Sequence, residues 1–379
     1  MHAFAAFRFR EFRLLWLSVA TANSGRWVMT MGVGALLYDL THSSVWIGAS
    51  MFMVQAPSLV VAPIAGVLAD RFDRRLLLTL GLGLATLATG TLVALTALGL
   101  ARTPVVLCCV LLLGISFGFQ GTSSSALVPQ AIPRDTLANG VALLGTARQG
   151  AEFLGPALAA PLLMGIGPGG VFALACLCYA VATTLPLRLH AYALEKARPY
   201  RHPFEPLGEG LRYLAATPIL GTVALLVAMH CGLTMTYQGL LPDYARVSLQ
   251  RGDDAYGGLM TAVGFGAVAG TLGLAAIARH RLYPATYVVT AVASGLSLAG
   301  LGAAHSLPLA LAMAALAGAS QASFMAVSLT LLQEVASPAY LGRVTGVYNF
   351  IGSGAMAALS WGFGGVATST GPAAVMLFG

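Results

Sequence analysis

The chain has 379 residues, of which 58% are hydrophobic and only 9% charged, with a formal net charge of +7 and a mean hydropathy of +0.82. Soluble domains carry about 25% charged residues, so a water-soluble globule is excluded: its surface would be covered by large apolar patches. The basic residues fall in short clusters between apolar stretches, which argues against a nucleic-acid partner and fits topology charge on a chain embedded in a lipid bilayer.

Arg8, Arg10 and Arg13 precede the first apolar run. A cleaved signal peptide would have a shorter core and a small-x-small site, so an uncleaved first span is expected. Spans are expected over 13–38, 44–69, 76–100, 104–128, 141–164, 168–188, 217–241, 256–278, 284–304, 307–333 and 343–366. A twelfth begins near Thr368 and stops at Gly379. Its roughly 11 residues reach ~17 Å against a hydrocarbon core of ~30 Å, so it reads as truncated. The fold class is therefore all-α and integral to the membrane. Its organisation is a first six-helix bundle over 1–188, a cytoplasmic central loop over 189–216, and a second bundle over 217–379 with five full spans and a partial sixth.

With a cytoplasmic N-terminus, fifteen Lys/Arg lie on the inner side and three (Arg102, Arg246, Arg251) in outer loops. That asymmetry sets the orientation expected for a multi-pass cell-membrane protein, a bacterial inner membrane above all. The halves echo one another at an offset of about 205 residues: Pro133 falls on Pro338, Arg74 on Arg279, and Asp70 on Ala275. Parallel repeats of this kind build transporters.

Several chemistries drop out. The sole lysine is Lys196, so there is no Gly-Lys-Ser/Thr phosphate loop for ATP and no intramembrane Schiff base. Gly114-Ile115-Ser116-Phe117-Gly118 matches Gly-x-Ser-x-Gly in mid-span, without the strand-turn-helix context a nucleophile needs; it reads as helix-packing glycine. The five cysteines lie inside apolar segments at no metal or disulfide spacing. No enzyme, cofactor or metal is expected.

The segment Gly66-Val67-Leu68-Ala69-Asp70-Arg71-Phe72-Asp73-Arg74-Arg75 joins spans two and three. It resembles the signature loop of the major facilitator superfamily, roughly Gly-x-Leu-Ala-Asp-Arg-x-Gly-Arg-Arg, with Asp73 in place of the second glycine. That change, together with Phe12–Leu17, Glu209–Leu214 before Thr217-Pro218, Leu241–Arg246 and Gly342-Arg343-Val344, resembles the siderophore-exporter and macrolide-efflux branch. The resemblance covers nearly the whole chain. It implies two six-helix bundles, alternating access, and proton-coupled efflux of an amphipathic small molecule such as a drug, macrolide or siderophore, by a monomer.

An acid at the C-terminal end of a helix faces the negative end of the dipole, so Asp70 needs a partner. Arg71, Arg74 and Arg75 are near in sequence, and the resemblance implies Arg343 across the halves. The expectation is a conformational latch of Asp70, Arg71, Arg74, Arg75 and Arg343; the alternative is a loop whose charge only sets topology. Gly155-Pro156 in span five resembles the family's antiporter motif, with Ala151, Ala159 and Ala160 at its glycine positions; Gly155 and Pro156 are expected to serve helix packing.

Ionisable groups inside spans are costly and mark function by default. Arg26 lies in span one, and Arg148 and Glu152 share a face of span five at i, i+4. The resemblance makes spans one and five neighbours, so Glu152 could pair with either arginine. The three are expected to couple protons, with Arg26 also selecting substrate; the alternative is a permanently paired structural cluster. Further cavity candidates are Asn23 and Thr30 with Arg26, Gln55, Gln120 and Ser123 (with Ser116), His230, Thr234 and Gln238, Gln321, and Asn349. Each could instead be an interhelical hydrogen bond, and His230 a satisfied neutral histidine. The function expected is secondary active transport by efflux. Importer or uniporter of a polar metabolite on the same fold, and non-transporting sensor or scaffold, stand as alternatives.

Overall fold

A computed structural model of the chain describes residues 4–190, 202, 204–277, 283–337 and 340–378. Every regular element among them is helical. In order these are α1 (Arg10–Thr41), α2 (Ser44–Arg71), α3 (Arg74–Ala97), α4 (Thr103–Ala131), α5 (Leu137–Ile166), α6 (Pro168–Thr184), α7 (Glu205–Ala216), α8 (Pro218–Met229), the one-turn α9 (Leu241–Asp243), α10 (Asp253–Ile277), α11 (Tyr283–Gly302), α12 (Leu307–Val335), α13 (Leu341–Thr370) and α14 (Pro372–Phe378).

The boundaries follow local chemistry. Proline opens α4, α6, α8 and α12 within their first two positions, where its missing N–H costs nothing. Asp73 caps α3, accepting the Arg75 N–H at 2.9 Å. Gly167 and Gly371 end α5 and α13 at positive φ, the left-handed exit that glycine adopts without strain. Among the described residues, nine segments are long and apolar enough to cross a membrane. The long helices outside that set are α1 and α5, the two that carry Arg26, Arg148 and Glu152.

The chain forms two compact units: residues 1–33 with 57–203, and residues 34–56 with 204–379. Thus α1 and α2 each run from one unit into the other. In the first unit, α3 packs on α4 and α6, and Leu77, Leu82 and Ala85 of α3, Val110 and Leu113 of α4, and Phe172 and Ala175 of α6 are all buried. The N-terminal turn docks on α5: the Ala6 N–H donates to Asn139 Oδ1 at 3.0 Å, and Trp16 Nε1 donates to the Leu143 carbonyl at 2.8 Å.

The second unit has its core on α8, α12 and α13, around Leu220, Val227, Phe324, Leu332 and Val347. Its own leading helix, α7, docks on the start of α13, where Gly210 lies against Val347 and the Arg343 backbone and Tyr213 stacks on Tyr340 at 4.4 Å. The two halves thus repeat a structural device as well as a sequence pattern.

Two segments depart from the sequence expectation. Residues 205–216 were expected to be loop and form α7. Leu207, Gly210, Tyr213 and Leu214 make a three-turn amphipathic face, too short and too broken by Gly208 and Gly210 to show as periodicity. Span seven was expected to be one helix over 217–241. It is α8 followed by a π-helical turn over His230–Thr234, a 3-10 turn over Thr236–Leu240, α9, and a second π turn over Tyr244–Ser248. Backbone this irregular is tolerated at membrane depth only where protein or a cavity covers it, and His230, Cys231, Gly232 and Thr234 are all buried.

Candidate functional site

In the first unit the charged residues of α1 and α5 are brought together by a close helix approach. At Gly155, one turn beyond Glu152, a Cβ would lie 2.5 Å from Trp27 Cβ and 3.1 Å from the Ser24 carbonyl oxygen. Any side chain there would push the helices apart. Pro156 has no N–H to give, so the Glu152 carbonyl four residues earlier loses its helical partner and the ladder opens there. Glu152 therefore sits one turn from a close approach of α5 to α1, at a break in the hydrogen-bond ladder of α5.

The approach puts Glu152 in the electrostatic field of Arg26. Arg26 in turn lies over the Phe117 ring of α4, 4.7 Å from its centroid, and interacts with Tyr179 of α6. Arg148 turns elsewhere: its Nη2 reaches Ser125 Oγ at 3.2 Å and Ser124 Oγ at 3.5 Å. Of the two arginines open to Glu152 by sequence, Arg26 is the one whose charge it meets, and Arg148 is tied to α4. The Tyr179 hydroxyl is fully buried without a hydrogen-bond partner. Such a group is costly unless it is used.

Phe117, Tyr179, Ser124 and Ser125 were not singled out in the sequence. A polar run Thr122–Ser125 was visible in span four, but only Ser123 continued the Ser116–Gln120 stripe.

The expected cavity residues divide by what holds them. Asn23 Nδ2 and Thr30 Oγ1 donate to their own helix, at the Val19 and Arg26 carbonyls. Gln120 Nε2 donates to Ser116 Oγ, which donates to the Gly81 carbonyl at 2.5 Å, so this chain fastens α4 to α3. Ser123 Oγ is buried without a partner. Within the second unit, Gln55 Nε2 lies 3.7 Å from Met356 Sδ, and Gln238 is buried. Asn349 is exposed.

Gln321 Nε2 donates to the Thr234 carbonyl at 3.0 Å, inside the π turn that frees carbonyls from the ladder, while Thr234 Oγ1 donates to the His230 carbonyl. The ring of His230 stacks on Phe324 at 4.0 Å, and Phe324 on Tyr287 at 4.7 Å. Its Nε2 is buried with no partner. That corrects the expectation of a satisfied histidine: the ring lies on the face of Phe324, which offers Nε2 no hydrogen-bond partner.

The signature loop is tied into the first unit. Arg74 Nε donates to the Ala69 carbonyl and Nη1 to the Ala126 carbonyl, at 3.1 and 3.0 Å. Arg75 Nη1 donates to the Leu189 carbonyl at 2.9 Å and pairs with Asp73 at 3.3 Å. The two arginines thereby supply cations to the C-terminal ends of α2 and α4 and to the end of the α6 segment, where dipoles favour them. Arg71 is exposed, and the Asp70 side chain lies outside the described residues. In the second unit Arg343 pairs with Glu209 of α7 at 3.1 Å and lies 5.1 Å over the Tyr340 ring. Among the described residues, no group of three His, Cys, Asp or Glu could hold a metal.

The family model for transmembrane secretion effectors matches residues 1–378. The chain belongs to this family of major facilitator transporters. Curated relatives include the enterobactin exporter EntS of Citrobacter koseri, 28% identical over 97% of this chain and 88% of that protein. The enterobactin exporter EntS of Escherichia coli O139:H28 is 27% identical with the same shares. Among solved structures, a point mutant of the nucleoside transporter NupG superposes with a TM-score of 0.73 at 14% identity, over 97% of this chain and 95% of that one. The human organic anion transporter MFSD10 gives 0.68 at 17% identity, over 97% and 96%. These structures share the fold, and the family match makes the chain a multi-pass membrane transporter and not an enzyme.

Proposed function

We propose that this transporter exports an amphipathic small molecule in exchange for protons, with Glu152 as the proton-carrying group and Arg26 as the cation that tunes it. The observation that carries the reading is the Gly155 approach, which sets Glu152 against Arg26 in the two long helices that are not uniformly apolar. A structural ion pair needs no more than contact, whereas an intramembrane acid at a helix break is able to gain and lose a proton as its surroundings alternate. Export is supported by the names of the relatives, which are enterobactin exporters, and the siderophore, macrolide or drug class by the resemblance of the sequence motifs. Arg26 over Phe117 adds a cation–aromatic surface suited to a flat, partly polar cargo. The fifteen-to-three distribution of basic residues supports a cytoplasmic N-terminus and a bacterial inner membrane, and a monomer suffices for the mechanism.

At the cytoplasmic ends, Asp70 and Arg343 form the latch of one state of the cycle. Glu209 already pairs with Arg343, so closing the latch is an exchange of carboxylates around one guanidinium. The free-energy difference it sets is that between two similar, partly exposed pairs, on the order of 1 kcal/mol or less. Such a latch biases the cycle without trapping it.

The test uses inverted vesicles with an imposed pH gradient, screened against dyes, macrolides and siderophores. A compound of the right class releases protons on addition. Glu152→Gln abolishes that release while leaving compound binding intact; proton-coupled flux unchanged in the variant refutes the assignment.

A further inference from the structure

Arg148 is an exposed residue well inside a long helix. It lies about 17 Å along α5 from Leu137, the first of that helix's 30 residues. A guanidinium at such a depth faces a polar cavity and not hydrocarbon. Its hydrogen bonds take up one nitrogen: Nη2 donates to Ser125 Oγ and Ser124 Oγ. Both hydroxyls pass their own protons to the Gly121 carbonyl, at 2.9 and 3.3 Å. They are neutral acceptors and leave the positive charge uncompensated. Among the described residues Arg148 pairs with no carboxylate, and its Nε and Nη1 hydrogens meet no protein acceptor.

The charge around it is unbalanced. Away from the helix ends, Glu152 is the sole acid on α1 to α6, against Arg26 and Arg148. Glu152 meets the field of Arg26, and Arg148 meets Arg26 as a like charge. Two guanidiniums less one carboxylate leave one positive charge, and two once Glu152 takes a proton.

The space beside Arg148 is open on both helices. Phe117, Gly121 and Ser125 succeed one another at i, i+4 and i+8 and share a face of α4. Gly145, Arg148 and Glu152 share a face of α5 at i, i+3 and i+7. A Cβ at Gly121 or at Gly145 would have nothing within 4 Å. Arg26 covers Phe117 at one end of the α4 face, and Arg148 holds Ser125 at the other, roughly 12 Å away along the helix. Gly121 is the floor between them.

We propose that Arg148 is the cargo's anion subsite: the N–H groups that the serines leave free bind a carboxylate of the cargo, whose apolar body lies over Gly121 toward Phe117. The inference rests on the export reading given above and adds to it the charge of the molecule carried. Arg26 answers Glu152, so the cation left for the cargo is the one that the proton site does not use. A neutral cargo would leave the excess positive charge in place in either protonation state, whereas a carboxylate cancels it when Glu152 is ionised. Arginine presents a planar fork of N–H groups that matches a carboxylate. A guanidinium that only braced α4 would be covered by its neighbours; Arg148 stands exposed beside two glycines with open space above them.

The experiment uses the full chain in phosphatidylcholine nanodiscs at pH 7, with empty nanodiscs as the blank for partition into lipid. Equilibrium dialysis measures the binding of two flat aromatic acids, naphthalene-2-acetic acid and pyrene-1-butyric acid, and of their primary amides, which keep the shape and lose the charge. The acid of a pair is expected to bind at least about tenfold tighter than its amide. That ratio collapses in Arg148→Gln and is kept in part by Arg148→Lys. Gly121→Leu, which fills the open space, weakens the acid. Failure of both acids to bind, equal affinity of acid and amide, or a ratio unchanged in Arg148→Gln overturns the subsite. If Arg148→Gln does not fold, Gly121→Leu carries the comparison, and acid binding that it leaves unchanged overturns the subsite too. No pH gradient is imposed. A failure here therefore removes the anionic cargo and leaves proton exchange standing, while a failure of Glu152 to carry protons leaves the acid–amide ratio untouched.

Discussion

The Gly155 approach allows a sharp test of how the proton site is assembled. Replacing Gly155 with alanine puts a Cβ 2.5 Å from Trp27 Cβ. Real Cβ atoms essentially never come within 3.0 Å, so α5 must withdraw from α1 by about 0.5 Å, and the Ser24 carbonyl at 3.1 Å blocks a sideways escape. Overpacking of this kind costs about 1–3 kcal/mol. Alanine also gains about 1 kcal/mol of helix propensity over glycine, which would mask part of the loss. Gly145, on the same helix with nothing within 4 Å of its Cβ position, receives the same propensity gain and no clash. The difference between Gly155→Ala and Gly145→Ala therefore isolates the contact at about 1–3 kcal/mol, or a melting temperature lower by roughly 1–4 °C. Differential scanning fluorimetry in detergent measures stability, and vesicle transport measures whether Glu152 and Arg26 still couple. Equal melting temperatures and equal transport for the two variants would refute the claim that close packing at Gly155 builds the site.

Two further outcomes follow from the arginine ties and the N-terminal turn. Arg74→Ala removes two charge-assisted bonds to helix-end carbonyls and is expected to lose about 2–3 kcal/mol, with Arg74→Lys recovering only part because one ammonium cannot span both acceptors; a thermal-shift series on the three proteins checks this. Burial pushes the Glu11 carboxyl up, but hydrogen bonds from the His190 backbone N–H and ring, with Arg10 alongside, outweigh it and hold the group below the ordinary value of 4.5. A depressed carboxylate stabilises the fold above its unfolded pKa and loses that contribution as pH falls through the folded one. Glu11→Gln should therefore melt lower than the parent at pH 7, and the gap should close on acidification below pH 4.5; a gap constant across that range contradicts the assignment.

Long apolar runs bounded by proline were readable almost to the residue. Span ten was expected over 307–333 and α12 covers Leu307–Val335; span four was expected over 104–128 and α4 covers Thr103–Ala131. The information there is local, since hydrophobic length and a proline at the first turn decide both ends. The partner of Glu152 was not local. Helical spacing allowed Arg148, but the serines that engage Arg148 lie on another helix, and which way the guanidinium turns depends on packing that periodicity does not encode. Asp243 was visible only within a stretch that carries the family resemblance, and Arg246 there and as one of three outer-loop arginines. Nothing in the sequence tied them to Ser44, which donates to the Asp243 carboxylate, or to Asp39, which pairs with Arg246, some 200 residues earlier.

The interrupted seventh span has a geometric consequence. In a regular helix each residue advances the facing direction by about 100°. A π turn holds its side chains back relative to that advance, and a 3-10 turn pushes them ahead. Between Met229 and Leu249 the chain does both, and then holds back again. The direction in which Asp243 points is thus set by two phase shifts, and that of Arg246 by those two and part of a third, and not by a wheel drawn from Pro218. Deleting His230 would convert the first π turn to regular α-helix and rotate the following segment as a body, turning Asp243 and Arg246 to another face while leaving every apolar residue in the span.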